Sequence, residues 1–190
     1  MIGTDETRTG SGPLPARQGR VSWVFLVGFM GAGKTSVGRV LSQHLGWPFE
    51  DLDDRIEARE GRSIEEIFRD SGETAFRRAE TAALRELLAG LGPSSRIVAL
   101  GGGAIVQPEN ARLLQEAGAA VVFLDAPAEE LFRRCEQEGR KRPLQRDLRQ
   151  FRELYDQRRP FYLAASRHID TGGKDLETVA AEVACSLGLA

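Results

Sequence analysis

The chain has 190 residues, 41% of them hydrophobic and 28% charged, which suits one globular domain with its own core. A formal charge of −2 provides no global basic field, which argues against binding to nucleic acid or to an anionic membrane surface. The two cysteines and two histidines lack metal-ligand spacing, so we expect neither a zinc site nor a disulfide framework.

Residues 1–20 are rich in Gly, Pro, Thr and Arg and lack the apolar core of a signal peptide. We expect them to form a disordered extension, and residues 21–190 to form a single domain. No apolar run approaches the roughly 20 residues that a membrane-spanning helix requires. The chain is therefore predicted to be cytoplasmic and, with no large apolar patch evident, monomeric.

Short apolar segments bounded by turn residues predict strands at 21–27, 47–52, 96–100, 119–124 and 167–170. Helical patterns lie at 34–45, 53–60, 63–70, 73–89, 109–117, 127–135, 148–164 and 176–187. Ser63 with Glu66, and Asp70 with Glu73, have the spacing of capping boxes. Alternating strands and helices favour a mostly parallel α/β sheet covered on both faces, with ligands beyond the carboxyl ends of the strands.

Residues 28–35, GFMGAGKT, match the phosphate-binding pattern G-x-x-x-x-G-K-[ST] between a predicted strand and a predicted helix. Glycines let backbone N–H groups close around phosphates, while Lys34 would reach the β and γ phosphates and Thr35 would ligate Mg²⁺. A dinucleotide-binding fingerprint fails, because no third glycine follows at the required place. The predicted ATP-binding residues here are Gly31, Ala32, Gly33, Lys34, Thr35 and Ser36.

Two carboxylates, Asp51 and Asp53, close the second predicted strand. Because side chains alternate along a strand, we expect both to lie on the same side and to aim past its end. Asp51 would help to hold Mg²⁺ through its water shell, and Asp53 would receive or orient the proton of an acceptor hydroxyl. The alternative is that one or both only cap the next helix.

The segment 136–147 is highly charged, contains Gly and Pro, and lies between two predicted helices. These properties predict a mobile flap over the site.

Taken in order, the motifs GFMGAGKT, DLD, GETAFRRAE, LGGGAI, RKRPL and QRRPFY resemble the shikimate kinase family, from residue 21 to the C-terminus. The resemblance implies a P-loop fold of the nucleoside monophosphate kinase type, with a five-stranded parallel sheet of order 2-3-1-4-5. It also implies a shikimate-binding region at about 53–80 and a mobile lid at about 136–147. The implied reaction is Mg²⁺-dependent transfer of the γ-phosphoryl group of ATP to the 3-hydroxyl of shikimate, a step of chorismate and aromatic amino-acid biosynthesis.

The resemblance also assigns the residues that contact shikimate. A planar guanidinium grips a carboxylate in bidentate fashion, which suits two of the assigned arginines, although each has an arginine neighbour, Arg78 or Arg159. Consecutive glycines after a strand would let substrate approach the backbone closely. The assigned acceptor residues are Asp53, Arg77, Gly101, Gly102, Gly103 and Arg158.

On the nucleotide side, the resemblance makes Arg142 the lid arginine that stabilises charge on the transferred group. With Lys34 and Asp53 it completes the predicted catalytic set. Arg134 and Lys174 match regions that contact adenine in the family.

Three alternatives stay open. Another small-metabolite P-loop kinase, such as a gluconate-type kinase, shares the phosphate-binding loop but would not require three glycines together with Arg77 and Arg158. A nucleoside monophosphate kinase would need a site for a second phosphate, which the sequence does not reveal. A nucleotide-binding regulator without catalysis would need neither Asp53 nor Arg142.

Overall fold

The structure, a computed structural model, describes residues 21–92, 94–137 and 147–189. Within these ranges the strands are β1 Trp23–Val27, β2 Phe49–Asp51, β3 Arg96–Ala99, β4 Ala120–Asp125 and β5 Arg167–Asp170. All neighbouring strands pair in parallel, and the order is β2-β3-β1-β4-β5. The predicted strand number, direction and order are confirmed.

The central strand β1 is buried along its whole length, so helices cover the sheet on both faces. Leu26 pairs with Ala99 of β3 on one side and with Val122 of β4 on the other. Because the strands are parallel, their carboxyl ends meet at one edge, where the loops that follow them come together.

The helices are α1 Lys34–Leu45, α2 Leu52–Glu60, α3 Ile64–Ala89, α4 Pro108–Glu116, α5 Ala128–Gln137, α6 Leu148–Tyr162 and α7 Leu176–Ser186. A short 3-10 turn, Ala104–Val106, follows β3. In the described ranges, no helix combines the length and the apolar character needed to span a membrane.

The helix α3 joins the two helices predicted at 63–70 and 73–89. It begins with the predicted capping box, in which the side chains of Ser63 and Glu66 each bond to the other's backbone amide. The interior is interrupted at Gly72, whose φ of 75° and ψ of 175° suit glycine. Asp70 is the first residue of the second predicted capping box, and its carboxylate accepts hydrogen bonds from the Arg69 guanidinium.

Several sequence-based predictions fall on the rest of the chain. The extension 1–20 and the lid arginine Arg142 lie outside the described residues, as do residues 138–146 of the predicted lid. Residues 136 and 137, which were assigned to the lid, are the last residues of α5. Asp147 caps α6 by accepting from the amide of Gln150 at 2.8 Å.

Candidate active site

The phosphate-binding loop, residues 28–35, joins β1 to α1. Its glycines Gly28, Gly31 and Gly33 all have positive φ, of 150°, 76° and 83°. A Cβ at Gly31 would lie 2.4 Å from the backbone oxygen of Leu131, so this glycine is required for space as well as for conformation. Gly33 is the N-cap of α1 and has no side chain to bond to the helix. The first amides of the helix are therefore available to an anion.

Lys34 lies inside the curve of this loop. Its Nζ donates to the carbonyl oxygens of Gly28 at 2.9 Å and Phe29 at 3.1 Å. The ammonium group is therefore held beside the amides that would bind phosphate, as the sequence motif predicts.

Asp51 joins the loop to the second strand. Its Oδ2 accepts from the Thr35 hydroxyl at 2.7 Å, and its Oδ1 accepts from the backbone amide of Asp53 at 3.0 Å. The second bond makes Asp51 the N-cap of α2, so this residue does cap the helix, in addition to its contact with Thr35. The Thr35 hydroxyl and the Asp51 carboxylate, the two groups that the sequence analysis assigned to Mg²⁺, are in direct contact.

Asp53 does not lie on the strand, and the argument from strand alternation was wrong for it. β2 ends at Asp51, and Asp53 is in the first turn of α2. The physical reason is the Asp51 cap, which starts the helix one residue before the predicted strand ends. The Asp53 side chain consequently reaches the site from a helix, where it faces the glycines after β3.

The Thr35 and Asp51 oxygens fit an ion such as Mg²⁺, which prefers oxygen ligands and is usually bound through one or two protein groups together with phosphates and water. In the part of the chain that the structure describes, no group of three or more His, Cys, Asp and Glu side chains could hold a metal. A magnesium ion here would therefore depend on the phosphates of ATP for part of its coordination.

The glycine segment, residues 101–103, lies between the phosphate-binding loop and the helices. A Cβ at Gly101 would be 2.9 Å from Asp53 Oδ1 and 3.0 Å from Glu80 Oε1, and a Cβ at Gly103 would be 2.7 Å from both terminal nitrogens of Arg77. None of these glycines has positive φ. Gly101 and Gly103 are therefore glycine for space, because charged side chains approach their backbone too closely for a Cβ.

Arg77 and Glu80 form an ion pair on the inner face of α3. Arg77 donates to Glu80 Oε2 at 2.9 Å and to Glu73 Oε1 at 3.2 Å. Glu80 is fully buried, and its Oε1 has no hydrogen-bond partner among the described residues. Burial raises the pKa of Glu80 to about 7; the charge of Arg77 opposes this rise and the charge of Asp53 adds to it.

The sequence analysis missed Glu80. A signal was present, because Glu80 occupies a core position of the helical pattern in α3, four residues after Phe76 and four before Leu84, both buried. An acidic residue at such a position is rarely buried unless it is paired.

The neighbouring arginines of α6 have different contacts. Arg159 donates to Asp125 at 3.0 Å and to the Tyr155 hydroxyl at 3.0 Å, so it belongs to a structural network. Arg158 lies 5.9 Å from the centre of the Phe29 ring, and its charge lowers the pKa of Glu80. This geometry favours Arg158 over Arg159 as an acceptor residue.

The same distinction holds on α3. Arg78 is exposed, whereas Arg77 is partly buried and directly faces Gly103. The position of Arg77 therefore favours it over Arg78 as the residue that binds the acceptor.

The two residues predicted to contact adenine, Arg134 and Lys174, differ in their contacts. Arg134 donates to the carbonyl oxygen of Thr171 at 2.6 Å and to that of Gly31 at 3.4 Å, which connects the loop after β5 with the phosphate-binding loop. Lys174 donates to Glu182 of α7 at 2.8 Å, so its ammonium group is engaged with a helix. The structure thus brings Arg134 to the nucleotide side and gives Lys174 a local partner.

A cavity of about 370 Å³ connects the phosphate-binding loop and Asp51 with Asp53 and the first two glycines of the glycine segment. It is lined by Met30, Gly31, Gly33, Lys34, Thr35, Ser36, Arg39, Asp51, Asp53, Asp54, Leu100, Gly101, Gly102 and Cys135. We call the phosphate-binding loop with Asp51 the donor side. The acceptor side comprises the glycine segment and Asp53, Arg77, Glu80 and Arg158.

Comparisons with known proteins agree with this architecture. The family model for shikimate kinase matches residues 30–187. The shikimate kinase of Geobacter metallireducens is 43% identical over 180 residues, which are 93% of this chain and 95% of that protein.

Among solved structures, shikimate kinase from Acinetobacter baumannii in complex with shikimate matches with a TM-score of 0.80 at 35% identity, covering 88% of this chain and 94% of that one. A gluconokinase from Sinorhizobium meliloti 1021 matches with a TM-score of 0.61 over 93% of this chain and 94% of that one. At 20% identity, the second match shows a shared fold only. The chain belongs to the shikimate kinase family.

Proposed function

We propose that this chain transfers the γ-phosphoryl group of ATP to the 3-hydroxyl of shikimate and thereby supplies shikimate 3-phosphate for chorismate and aromatic amino-acid biosynthesis. The observation that carries the proposal is that one and the same cavity is lined by Lys34 and by Asp53, so that a donor phosphate and an acceptor hydroxyl would meet in it. Membership of the family favours shikimate over gluconate as the acceptor.

On the donor side, the amides of the phosphate-binding loop and the first turn of α1 bind the phosphates. Lys34 exchanges its bonds to the Gly28 and Phe29 carbonyls for phosphate oxygens. Thr35 and Asp51 would hold Mg²⁺, which when bound neutralises charge on the β and γ phosphates.

On the acceptor side, Arg77 and Arg158 bind the carboxylate of the substrate, since guanidinium groups match carboxylates in geometry and charge. Asp53 orients the acceptor hydroxyl and receives its proton. The hydroxyl oxygen forms a bond to the γ phosphorus while the bond from phosphorus to the bridging oxygen breaks, and ADP leaves. Because the transition state is loose, positioning by these residues supplies most of the catalysis.

Four further parts of the proposal rest on the sequence. Arg142 would stabilise the transferred group as the lid closes, and closure would exclude water as a competing acceptor. Arg134 would contact the adenine. The cytoplasmic location and the monomeric state stay predictions.

The test is a coupled ADP-release assay with Mg-ATP and, in parallel, shikimate, gluconate, a nucleoside monophosphate or no acceptor. We expect ADP release when shikimate is the acceptor and none in the other three reactions. Mass spectrometry should identify phosphorylated shikimate as the product. Release with gluconate instead would overturn the choice of acceptor, and ATP binding without turnover would favour a regulator.

A matched pair of variants tests the carboxylate assignment in the same assay. Arg77→Lys keeps a positive charge beside Glu80 but loses the bidentate geometry, so the KM for shikimate should rise about tenfold. Arg78→Lys, at an exposed neighbouring position, should leave that KM unchanged. The reverse pattern would show that the assignment is displaced by one residue.

A further inference from the structure

We propose that Tyr162 is a positioning residue of the acceptor side, whose hydroxyl holds the glycine segment and Arg158 in a fixed relation to each other. The inference rests on the proposed function, because shikimate is the molecule expected to contact both groups.

The first observation is the position of the Tyr162 side chain. It is fully buried, and its ring stacks on Phe123 of β4 with ring centres 5.2 Å apart and an interplanar angle of 25°. Its hydroxyl donates to the backbone carbonyl of Gly102, 60 residues away in sequence. The ring is thus fixed against the central part of the sheet, and the polar end reaches the middle of the glycine segment.

The second observation is the relation of Tyr162 to Arg158. The two residues are four apart on α6 and so lie on the same face of the helix. Burial raises the pKa of the Tyr162 phenol well above its usual value, while the positive charge of Arg158 acts in the opposite direction. The phenol therefore keeps its proton, which it donates to Gly102, and Arg158 lies one turn before it on the same face of the helix.

The third observation is what Gly102 contacts. A Cβ at this position would lie 3.6 Å from the carbonyl oxygen of Gly28 and 3.8 Å from the amide nitrogen of Met30. The carbonyl that Tyr162 holds therefore belongs to a piece of backbone packed on the phosphate-binding loop. Its neighbours Gly101 and Gly103 meet Asp53 and Arg77. A shift of this backbone would displace the groups that bind the acceptor.

The chain offers a matched control in Tyr155, two turns earlier on α6. Its ring is also buried, and its hydroxyl donates to Asp125 at 2.8 Å and accepts from Arg159 at 3.0 Å. Replacing either tyrosine with phenylalanine removes one buried hydroxyl and keeps the ring. Only the Tyr162 change touches the glycine segment.

The experiment compares Tyr162→Phe with Tyr155→Phe in the full chain, by steady-state kinetics with shikimate and ATP varied in turn and by thermal unfolding. Leaving the Gly102 carbonyl without its donor should raise the KM for shikimate about tenfold, with the KM for ATP changed less than about twofold. Tyr155→Phe should leave both KM values within about twofold of wild type, while its melting temperature falls by a similar amount to that of Tyr162→Phe.

A double variant adds a readout that a structural role would not change. If the hydroxyl acts through Arg158, the effects of Tyr162→Phe and Arg158→Lys on the KM for shikimate should combine to less than their sum in free energy. If Tyr162→Phe lowers the melting temperature below that of the assay, equilibrium binding of shikimate in the cold replaces the KM comparison.

An unchanged affinity for shikimate in Tyr162→Phe, or equal changes in both tyrosine variants, would overturn the inference while wild type still phosphorylates shikimate. A wild-type enzyme that releases no ADP with shikimate would overturn the proposed function and this inference with it. The two failures are therefore distinguishable.

Discussion

The donor and acceptor sides of the cavity are built in different ways. The donor side is largely one run of residues, 28–35, shaped by backbone conformation, and even Lys34 bonds to carbonyls of its own loop. The acceptor side collects side chains from α2, α3 and α6 around the glycine segment, and these charged groups hold one another in place. We therefore expect the donor side to be sensitive to changes of backbone, and the acceptor side to changes of side-chain charge and position.

The largest effect on activity should come from Asp53→Asn. If Asp53 receives the acceptor proton, kcat should fall roughly 10²-fold or more while ATP affinity changes little, because the donor side is built without this side chain. Steady-state kinetics and ATP titration measure the two quantities. Asp156→Asn, on an exposed part of α6, is the control. Parallel losses of kcat and ATP affinity would contradict the assigned role.

The next effect should be that of Gly31→Ala on the donor side. An alanine here would have to adopt a φ of 76° and would place its Cβ 2.4 Å from a backbone oxygen of α5. We expect the free energy of unfolding to fall by roughly 2 to 4 kcal/mol and ATP binding to weaken. Urea unfolding and calorimetric titration with ATP measure these changes.

Gly33→Ala separates the two causes of that loss. Gly33 has a similar φ of 83°, but the nearest atom to its Cβ would be 3.8 Å away. Its loss of stability should be smaller, on the order of 1 kcal/mol. Equal losses in the two variants would mean that α5 moves to relieve the contact.

A smaller effect, confined to the acceptor, should follow from Gly103→Ala. Gly103 has a φ of −110°, which any residue can adopt, so the backbone is not strained. The new Cβ would displace the Arg77 guanidinium, and the KM for shikimate should rise about tenfold with the KM for ATP unchanged. Gly90→Ala, where the nearest contact is an ordinary 3.4 Å, serves as control. A matching rise in the KM for ATP would erase the distinction between the two sides.

The last effect is on the pH dependence of stability and concerns Glu80→Gln. The folded protein raises the pKa of Glu80 from 4.5 to about 7, so its contribution to stability is complete below pH 4.5 and is lost as the pH rises towards 7. The loss should be on the order of 3 kcal/mol. Glutamine cannot titrate, so urea unfolding of Glu80→Gln across this range should show a weaker pH dependence.

Glu73→Gln is the matched control, because Glu73 binds the same arginine from an exposed position. Its unfolding free energy should follow that of wild type with pH. If the curves of wild type and Glu80→Gln run parallel instead, the buried carboxyl does not titrate in this range.

The contrast between the two sides also explains what the sequence could predict. The phosphate-binding loop is contiguous, so its pattern and its place between a strand and a helix were enough to identify it and its Lys34. The order of the strands and the pairing of Arg77 and Arg158 with the glycine segment came from family resemblance, because contacts between distant segments leave no local pattern.

Where the sequence analysis failed, the reason was a tertiary or capping interaction. Asp53 was placed on a strand in preference to the capping alternative, whereas the Asp51 cap starts α2 at Leu52 and puts Asp53 in its first turn. Glu80 and Tyr162 were overlooked because their partners, a buried arginine and a backbone carbonyl, are recognisable only in three dimensions. A polar residue at a core position of an amphipathic helix is the one available signal, and it applies to Glu80.

The contact of Gly102 with the phosphate-binding loop has a consequence for how acceptor specificity can evolve. Only backbone separates the two sides at this point, so there is no side chain there through which a change of acceptor could be made. The replaceable surface is on α2, α3 and α6, away from the nucleotide. Substitutions on these three helices can therefore change the acceptor while the phosphate-binding loop keeps its sequence and conformation.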